Sequence, residues 1–431
     1  MVKRSLIIFL YSLYLINVAT AASDAVPYGE TETSVSTSDG KITIAEIRTY
    51  GNDVTRYNVI TKYCAFSVGD RLTQAELNRR IERTRQNLEN TFFFRRVNVY
   101  DLPRSDPGRA VILVAVRERS PWSFSADFWK VGVAKENIGG RALRIGATVG
   151  VNRIDFDLKQ PWFFGSDFVF GGNVFYENDD RIEIENYGGV PGEYFGVETV
   201  GVAGGVGYNL NSTDSFGAEL LWERRNFYDE NIKSDPFGRL GIDGTTNLVT
   251  LRPYLEFNRR DIERTPTSGI YTRVSAEIAD KSLGVYTYRK LECDVRYYVT
   301  PRGVSTLAFR GVGGYSTNST PYFKRFGIEG LEMLRAVDYN NVVGNRMLVG
   351  SFEVRRDLFR IPIFDAWFEG AAFFDVGRTW DPGEPIELKG MAYGYGPALR
   401  LHVREPFVLD ARAEATFSKS FNGYLSASHG F

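Results

Sequence analysis

Residues 407–417 read Phe407-Val408-Leu409-Asp410-Ala411-Arg412-Ala413-Glu414-Ala415-Thr416-Phe417, with apolar side chains at every second position and Asp410, Arg412 and Glu414 between them. A period of two places alternate side chains on opposite faces of an extended strand. Two more segments repeat the pattern. Leu291, Cys293, Val295, Tyr297 and Val299 oppose Glu292, Asp294 and Arg296, and Ile270, Thr272, Val274, Ala276 and Ile278 oppose Tyr271, Arg273, Ser275 and Glu277. An apolar face backed by a charged face fits two architectures. In a soluble sandwich the apolar face turns inward; in a closed transmembrane barrel it turns outward to lipid, and the charges line a polar lumen.

Composition bears on that choice. The 431 residues include 31 Phe, 24 Tyr, 6 Trp and 43 Gly, and Lys+Arg (52) nearly cancels Asp+Glu (53). A charge-balanced chain has no global field for nucleic acid. Beyond the N-terminus there is no run of eighteen or more apolar residues, which excludes a bundle of membrane-spanning helices. Two His and two Cys leave little material for metal centres or a disulfide framework, and no cofactor motif is present. Cys64 and Cys293 are read as small apolar residues rather than partners.

At the N-terminus, Lys3 and Arg4 precede an apolar stretch from Leu6 to Val18 and then Ala19-Thr20-Ala21. A basic head, a short apolar core and an A-x-A site predict a secretory signal over residues 1–21. The rival reading, a membrane anchor, needs a longer apolar run. Residues 22–40 predict a flexible leader. The length remaining, 119–431, allows about 16 strands at about 20 residues per strand and connection.

Between leader and barrel, residues 41–118 predict the order β-α-α-β-β. Ile42, Ile44 and Ile47 mark a first strand, and a short helix is expected over Val54–Tyr63. Thr73 followed by Glu76 is a capping box flanked by Leu72 and Leu77 as a staple. Leu77, Ile81 and Leu88 carry that helix to about Asn90, and strands follow from Phe94 and over Val111–Val116. The segment holds five more basic than acidic residues, with Arg79, Arg80, Arg83 and Arg85 on the second helix. They read either as a solvated face or as a contact for lipid phosphates or acidic partners.

This small segment resembles a POTRA (polypeptide-transport-associated) domain, and several motifs beyond it resemble the BamA- and TamA-like outer-membrane assembly superfamily. Lys135-Glu136-Asn137-Ile138-Gly139-Gly140 is similar to the family's approach to the first hairpin. Gln160-Pro161-Trp162-Phe163-Phe164-Gly165 is similar to its first periplasmic turn, and Arg260-Asp261 with Pro266, Thr267 and Gly269 to its mid-barrel turn. Phe373-Phe374-Asp375-Val376-Gly377 matches the F-x-D-x-G strand motif. Leu334-Arg335, Tyr339, Gly344-Asn345 and Ser351-Phe352-Glu353-Val354-Arg355 resemble the lumen-inserted loop and the strand after it. One departure stands out: the family's R-G-F/Y tip reads Arg335-Ala336-Val337, and a position needing positive φ would be strained with Ala.

The resemblance implies a mainly β chain, with a C-terminal transmembrane antiparallel barrel preceded by one small α+β POTRA domain. It implies an outer-membrane location with the POTRA domain in the periplasm, and no enzymatic activity. Its implied partners are unfolded outer-membrane proteins, the lipid bilayer and accessory periplasmic or lipoprotein factors. Arg335 would lock the loop against Asp375 and Glu353 through charge-assisted pairs; the plainer alternative is ordinary lumen charges in water. Clients would enter through a seam at the last strand, where Gly423 lowers β propensity and Phe431 is the terminal aromatic. Two other roles stay open, a polypeptide secretion transporter and a passive outer-membrane pore or structural barrel. His402 shares strand parity with Arg400 and Arg404 and reads as lumen wall rather than catalytic base.

Overall fold

Alternation of the kind seen at 407–417 runs through sixteen antiparallel strands, from Trp122–Asp127 to Phe421–Ala427, which close into one barrel. The computed structural model describes residues 41–431 except 104–105, 107, 128–129, 184–193, 230–243, 329–332, 336–342, 363–364, 381–382, 388–389, 405–408, 419–420 and 428–431. The expected signal and leader, the tip residues Ala336, Val337 and Tyr339, and Phe431 lie outside the described residues. Residues 41–431 form one unit.

Strand parity sorts the barrel's two surfaces. Leu291, Tyr297, Phe374 and Leu399 are exposed on the outside, while Asp294, Glu353, Asp375, Arg400 and Glu414 are buried inside. This inversion of the soluble pattern is what a lipid solvent requires: closure removes sheet edges, and the apolar face meets the surroundings. Strands near the closure are short, Trp122–Asp127 and Phe421–Ala427, whereas Tyr194–Asn209 and Arg346–Ile361 on the rest of the wall each run to 16 residues.

A small α+β layer precedes the barrel. It contains β1 (Lys41–Tyr50), α1 (Tyr57–Tyr63), β2 (Arg71–Thr73), α2 (Gln74–Glu89), β3 (Phe94–Asp101) and β4 (Arg109–Glu118), with sheet order β2-β1-β4-β3. β1 and β4 run parallel, and both give their alternate apolar residues to the core. Ile44, Ile60, Leu77, Leu88 and Ile112 are fully buried there. The Thr73–Glu76 capping box forms in both directions and starts α2.

Two features differ from the sequence reading. α1 begins at Tyr57 rather than Val54, because the Glu118 carboxylate accepts the N–H groups of Val54 (3.0 Å) and Thr55 (2.6 Å). These groups are held outside helical geometry by a residue distant in sequence. The three-residue β2 was not expected. Leu72 pairs opposite Ile42 and is buried, so the residue read as a helix staple also extends the sheet.

The turns at one rim of the barrel carry this layer. Asn137 Nδ2 donates to Thr55 Oγ1 (2.7 Å), and the Arg56 N–H donates to the Gly140 carbonyl (3.0 Å). Gly140 has φ 68°, and a Cβ there would fall 1.9 Å from the Val54 carbonyl oxygen, so only glycine permits the approach. Tyr63 meets Trp162 edge-on, with centroids 5.5 Å apart, and Lys62 pairs with Asp167 at 2.6 Å. From α2, Arg83 donates to the Arg260 carbonyl (3.0 Å) and Asn90 Nδ2 to the Asp261 carbonyl (3.1 Å). Part of the basic helix face is thus neither free in solvent nor reserved for an outside anion; it docks on the barrel's own turn.

Candidate functional site: a loop clasped inside the barrel

The strand Thr306–Ser316 is followed by a long excursion before Arg346–Ile361 resumes the wall. Part of the excursion packs inside the barrel. Phe326–Gly327 pairs with Val343–Gly344, and the Leu334 N–H donates to the Ile328 carbonyl at 3.0 Å. Phe326, Ile328 and Leu334 bury themselves against Val312, Met347 and Val349. An apolar cluster inside a mostly polar lumen gives this segment a fixed seat.

Beside that cluster the structure brings Arg335, Asp375 and Glu353 together. Arg335 Nε lies 2.6 Å from Asp375 Oδ2 and Nη2 lies 2.7 Å from Oδ1, a forked pair. Its Nη1 donates to Glu353 Oε1 at 2.7 Å, with Glu414 Oε2 at 3.5 Å. The guanidinium also lies over the Phe373 ring, its Cζ 3.6 Å from the centroid. Arg335 is 3% exposed, and Asp375 and Glu353 are 0%, so the pairs are sheltered from water rather than bathed in it. Such charges are tolerable only when fully paired.

The wall completes the pairing with residues the sequence reading did not assign to the site. Arg355 Nε donates to Glu353 Oε2 at 2.6 Å. Arg400 reaches both Glu353 oxygens at 3.0 Å, Glu369 at 3.1 Å and Glu414 at 3.3 Å. Arg412 lies 3.9 Å from Glu414, and His402 is 4.0 Å from Glu369. Four arginines therefore face four carboxylates across the strands Arg346–Ile361, Ala366–Trp380, Ala392–Val403 and Leu409–Phe417. Parity alone placed Arg400, Arg412 and Glu414 on the charged face; no local spacing shows which of them meet across strands.

The other expected site residues lie as follows. Phe373 is buried beside Arg335, and its ring covers Gly396, where a Cβ would lie 1.8 Å from the Ala415 carbonyl oxygen and 3.2 Å from Phe373 Cζ. Gly377 sits opposite Val349, and a Cβ there would lie 3.1 Å from Val349 Cγ2 and 3.2 Å from the Leu348 carbonyl oxygen. Gly423 lies on the last strand opposite Ala415, next to the Glu414–Tyr424 pair.

Closure of the barrel is uneven. Ser426 pairs with Asp127 and Ala427 with Ala126. The two residues after Asp127 lie outside the described residues; the last strand's Phe421–Leu425 pairs on its other side with Ala413–Phe417.

Comparison with known proteins places this arrangement. The Omp85 superfamily domain matches residues 137–407. BamA from Haemophilus ducreyi lacking POTRA domains 1-3 is similar in structure, with a TM-score of 0.55 and 16% identity over 90% of this chain and 84% of that one. CdiB from Acinetobacter baumannii gives a TM-score of 0.54 at 13% identity, over 90% and 74% of the two chains. CdiB from Escherichia coli gives 0.51 at 11% identity, over 93% and 91%. At these identities the likeness is one of fold. No curated protein matches the chain.

Proposed function

The chain belongs to the Omp85 superfamily, and on that premise we propose that it is an outer-membrane assembly factor. Residues 41–118 act as a single POTRA domain in the periplasm. Unfolded β-barrel clients are received there, where β3 is the edge strand of the small sheet and could add an extended segment. The barrel spans the bilayer and inserts clients through the seam between Trp122–Asp127 and Phe421–Ala427. Accessory periplasmic or lipoprotein factors would deliver them.

The observation that carries this reading is the thin seam: among the described residues the first and last strands share two pairs, Ser426 with Asp127 and Ala427 with Ala126, against six between the last strand and its other neighbour. A weakly paired edge offers its backbone N–H and C=O groups as a template for a new strand. In a bilayer such groups are costly unless satisfied, so an incoming client strand lowers the free energy without any nucleotide. No catalytic chemistry is required.

Likeness to CdiB keeps one second reading in play, export of a partner polypeptide through the lumen. The clasped loop would then have to leave the lumen during transport. Depletion of the protein separates the two. Loss of many other barrels from the outer membrane supports assembly. Loss of one exported polypeptide with other barrels unchanged overturns it.

A further inference from the structure

Between the small layer and the barrel rim lies a cavity of about 1080 Å³. From the small layer, Arg85 on α2, Arg95 on β3 and Arg119 just after β4 line it. From the barrel come Arg355, Arg356 and Arg360 on the strand Arg346–Ile361, and Arg404 just after Ala392–Val403. Its carboxylates, among the described residues, are Glu89, Asp357, Asp365 and Glu369. Arg355 and Glu369 are engaged in the clasp, with Glu353 at 2.6 Å and Arg400 at 3.1 Å. Six arginines then face three carboxylates, of which Glu89 is held by Arg85 at 2.6 Å and Asp357 by Arg360 at 3.0 Å.

A basic surface is ordinarily no more than a solvated face. Two features set this one apart. The arginines reach one recess from two layers of a single unit, and walls of low dielectric focus the field of like charges and concentrate anions between them. A guanidinium fork matches a phosphate with two parallel hydrogen bonds. The second feature is an apolar edge. Ile262 (38% exposed) and Val304 (56%) line the same cavity, and the exposed Leu358 and Phe359 lie between Asp357 and Arg360 on their strand. Phe359 stacks on Phe368 with centroids 4.5 Å apart. An inorganic anion or an acidic peptide has no use for such an edge. A lipid has, because its charged headgroup and its acyl chains leave one molecule in opposite directions.

We propose that this cavity binds the headgroup of an anionic phospholipid, with Arg95, Arg356 and Arg360 around the phosphate and the acyl chains leaving past Val304 and Ile262. Arg95 belongs to the small layer and Arg356 to the barrel, so one lipid joins the two at a place separate from the Trp162 and Asn137 contacts. The site requires only a barrel that spans a bilayer, and it stands whether clients are inserted or exported.

Native mass spectrometry of the purified full chain tests it, with dioleoyl phosphatidylglycerol, dioleoyl phosphatidylcholine or inorganic phosphate added to the detergent solution. Wild type is expected to retain one phosphatidylglycerol, in preference to phosphatidylcholine by about tenfold in concentration. Arg95→Gln/Arg356→Gln should lose that preference. Arg71→Gln/Arg109→Gln removes the same charge from exposed positions outside the cavity and should keep it. Equal retention of the two lipids by wild type, or equal loss in both double variants, overturns the proposal. So does inorganic phosphate that binds as tightly as phosphatidylglycerol, since the site would then be one for a free anion. Folding is checked by the mobility of unboiled against boiled protein. A second measurement needs no variant: photo-activatable phosphatidylglycerol, in bilayers holding the wild-type chain, should give adducts within residues 300–306 and 355–360. Adducts confined to other parts of the barrel also overturn the proposal.

Discussion

Arg335 on the lumen loop and Asp375 on the strand Ala366–Trp380 form a forked pair at 2.6 and 2.7 Å, with both side chains buried. Removing the arginine leaves Asp375, Glu353 and Glu414 facing one another with one cation fewer. Arg335→Ala is expected to destabilise the loop's seat by about 3–5 kcal/mol, the usual cost of stranding a buried charge. The checks are a lower temperature for the mobility shift of unboiled protein and faster protease cleavage in the loop. Arg335→Lys should recover only part of the loss, since a point charge cannot reproduce the fork.

Gly396 and Gly204 give a matched comparison on barrel strands. A Cβ at Gly396 would meet the Ala415 carbonyl oxygen at 1.8 Å and the Phe373 ring at 3.2 Å, whereas at Gly204 nothing lies within 4 Å. Gly396→Ala should cost about 1–3 kcal/mol through overpacking and loosen Phe373 from Arg335. Gly204→Ala should be close to neutral by the same mobility assay.

Trp162 joins the small layer to the barrel. It is buried against Tyr63, Val59 and Ala142. Trp162→Ala is expected to remove about 3 kcal/mol or more of packing. Spin-label distances between the small sheet and the barrel rim should broaden while the barrel keeps its mobility shift. An unchanged distance distribution would show that the turn contacts of Arg83 and Asn90 suffice alone.

Burial raises the Cys64 thiol to about 12 from an ordinary value of 9.0, and the Tyr63 hydroxyl to about 12 from 10.0. Both groups resist ionising in the fold, so their contribution to stability is fully present below about pH 9. It is lost as pH rises towards about 12, where the unfolded chain has already released its protons. The small layer should therefore lose stability between those limits, followed by near-ultraviolet absorbance of tyrosinate. At pH 8, Cys64 should alkylate slowly until the layer is unfolded.

Much of the fold is legible in the sequence because a half-buried strand repeats every two residues. Segments such as 291–299 and 407–417 state their two faces directly, and Thr73 with Glu76 states where α2 begins. Elements below that length are silent: Arg71–Thr73 is too short to show a period, and the late start of α1 depends on Glu118, far along the chain. The site divides in the same way. Arg335, Glu353 and Asp375 were singled out through a family resemblance together with strand parity. Arg400 and Glu353 lie 47 residues apart, and nothing local to either identifies the other. The sequence leaves Arg83 as part of a solvated face or as a contact for lipid phosphates or acidic partners, because a docking face and an exposed face look alike until the opposite surface is known.

The central claim is that the edge of the last strand at the seam receives client strands. Photo-activatable cross-linkers placed one at a time at Phe421, Gly423 and Leu425, in cells synthesising other outer-membrane barrels, test it most directly. The account predicts client adducts at these positions, and none from a cross-linker at Leu291, on the outer face of the far wall. Well-expressed, folded protein that gives no client adduct at any of the three edge positions would contradict it.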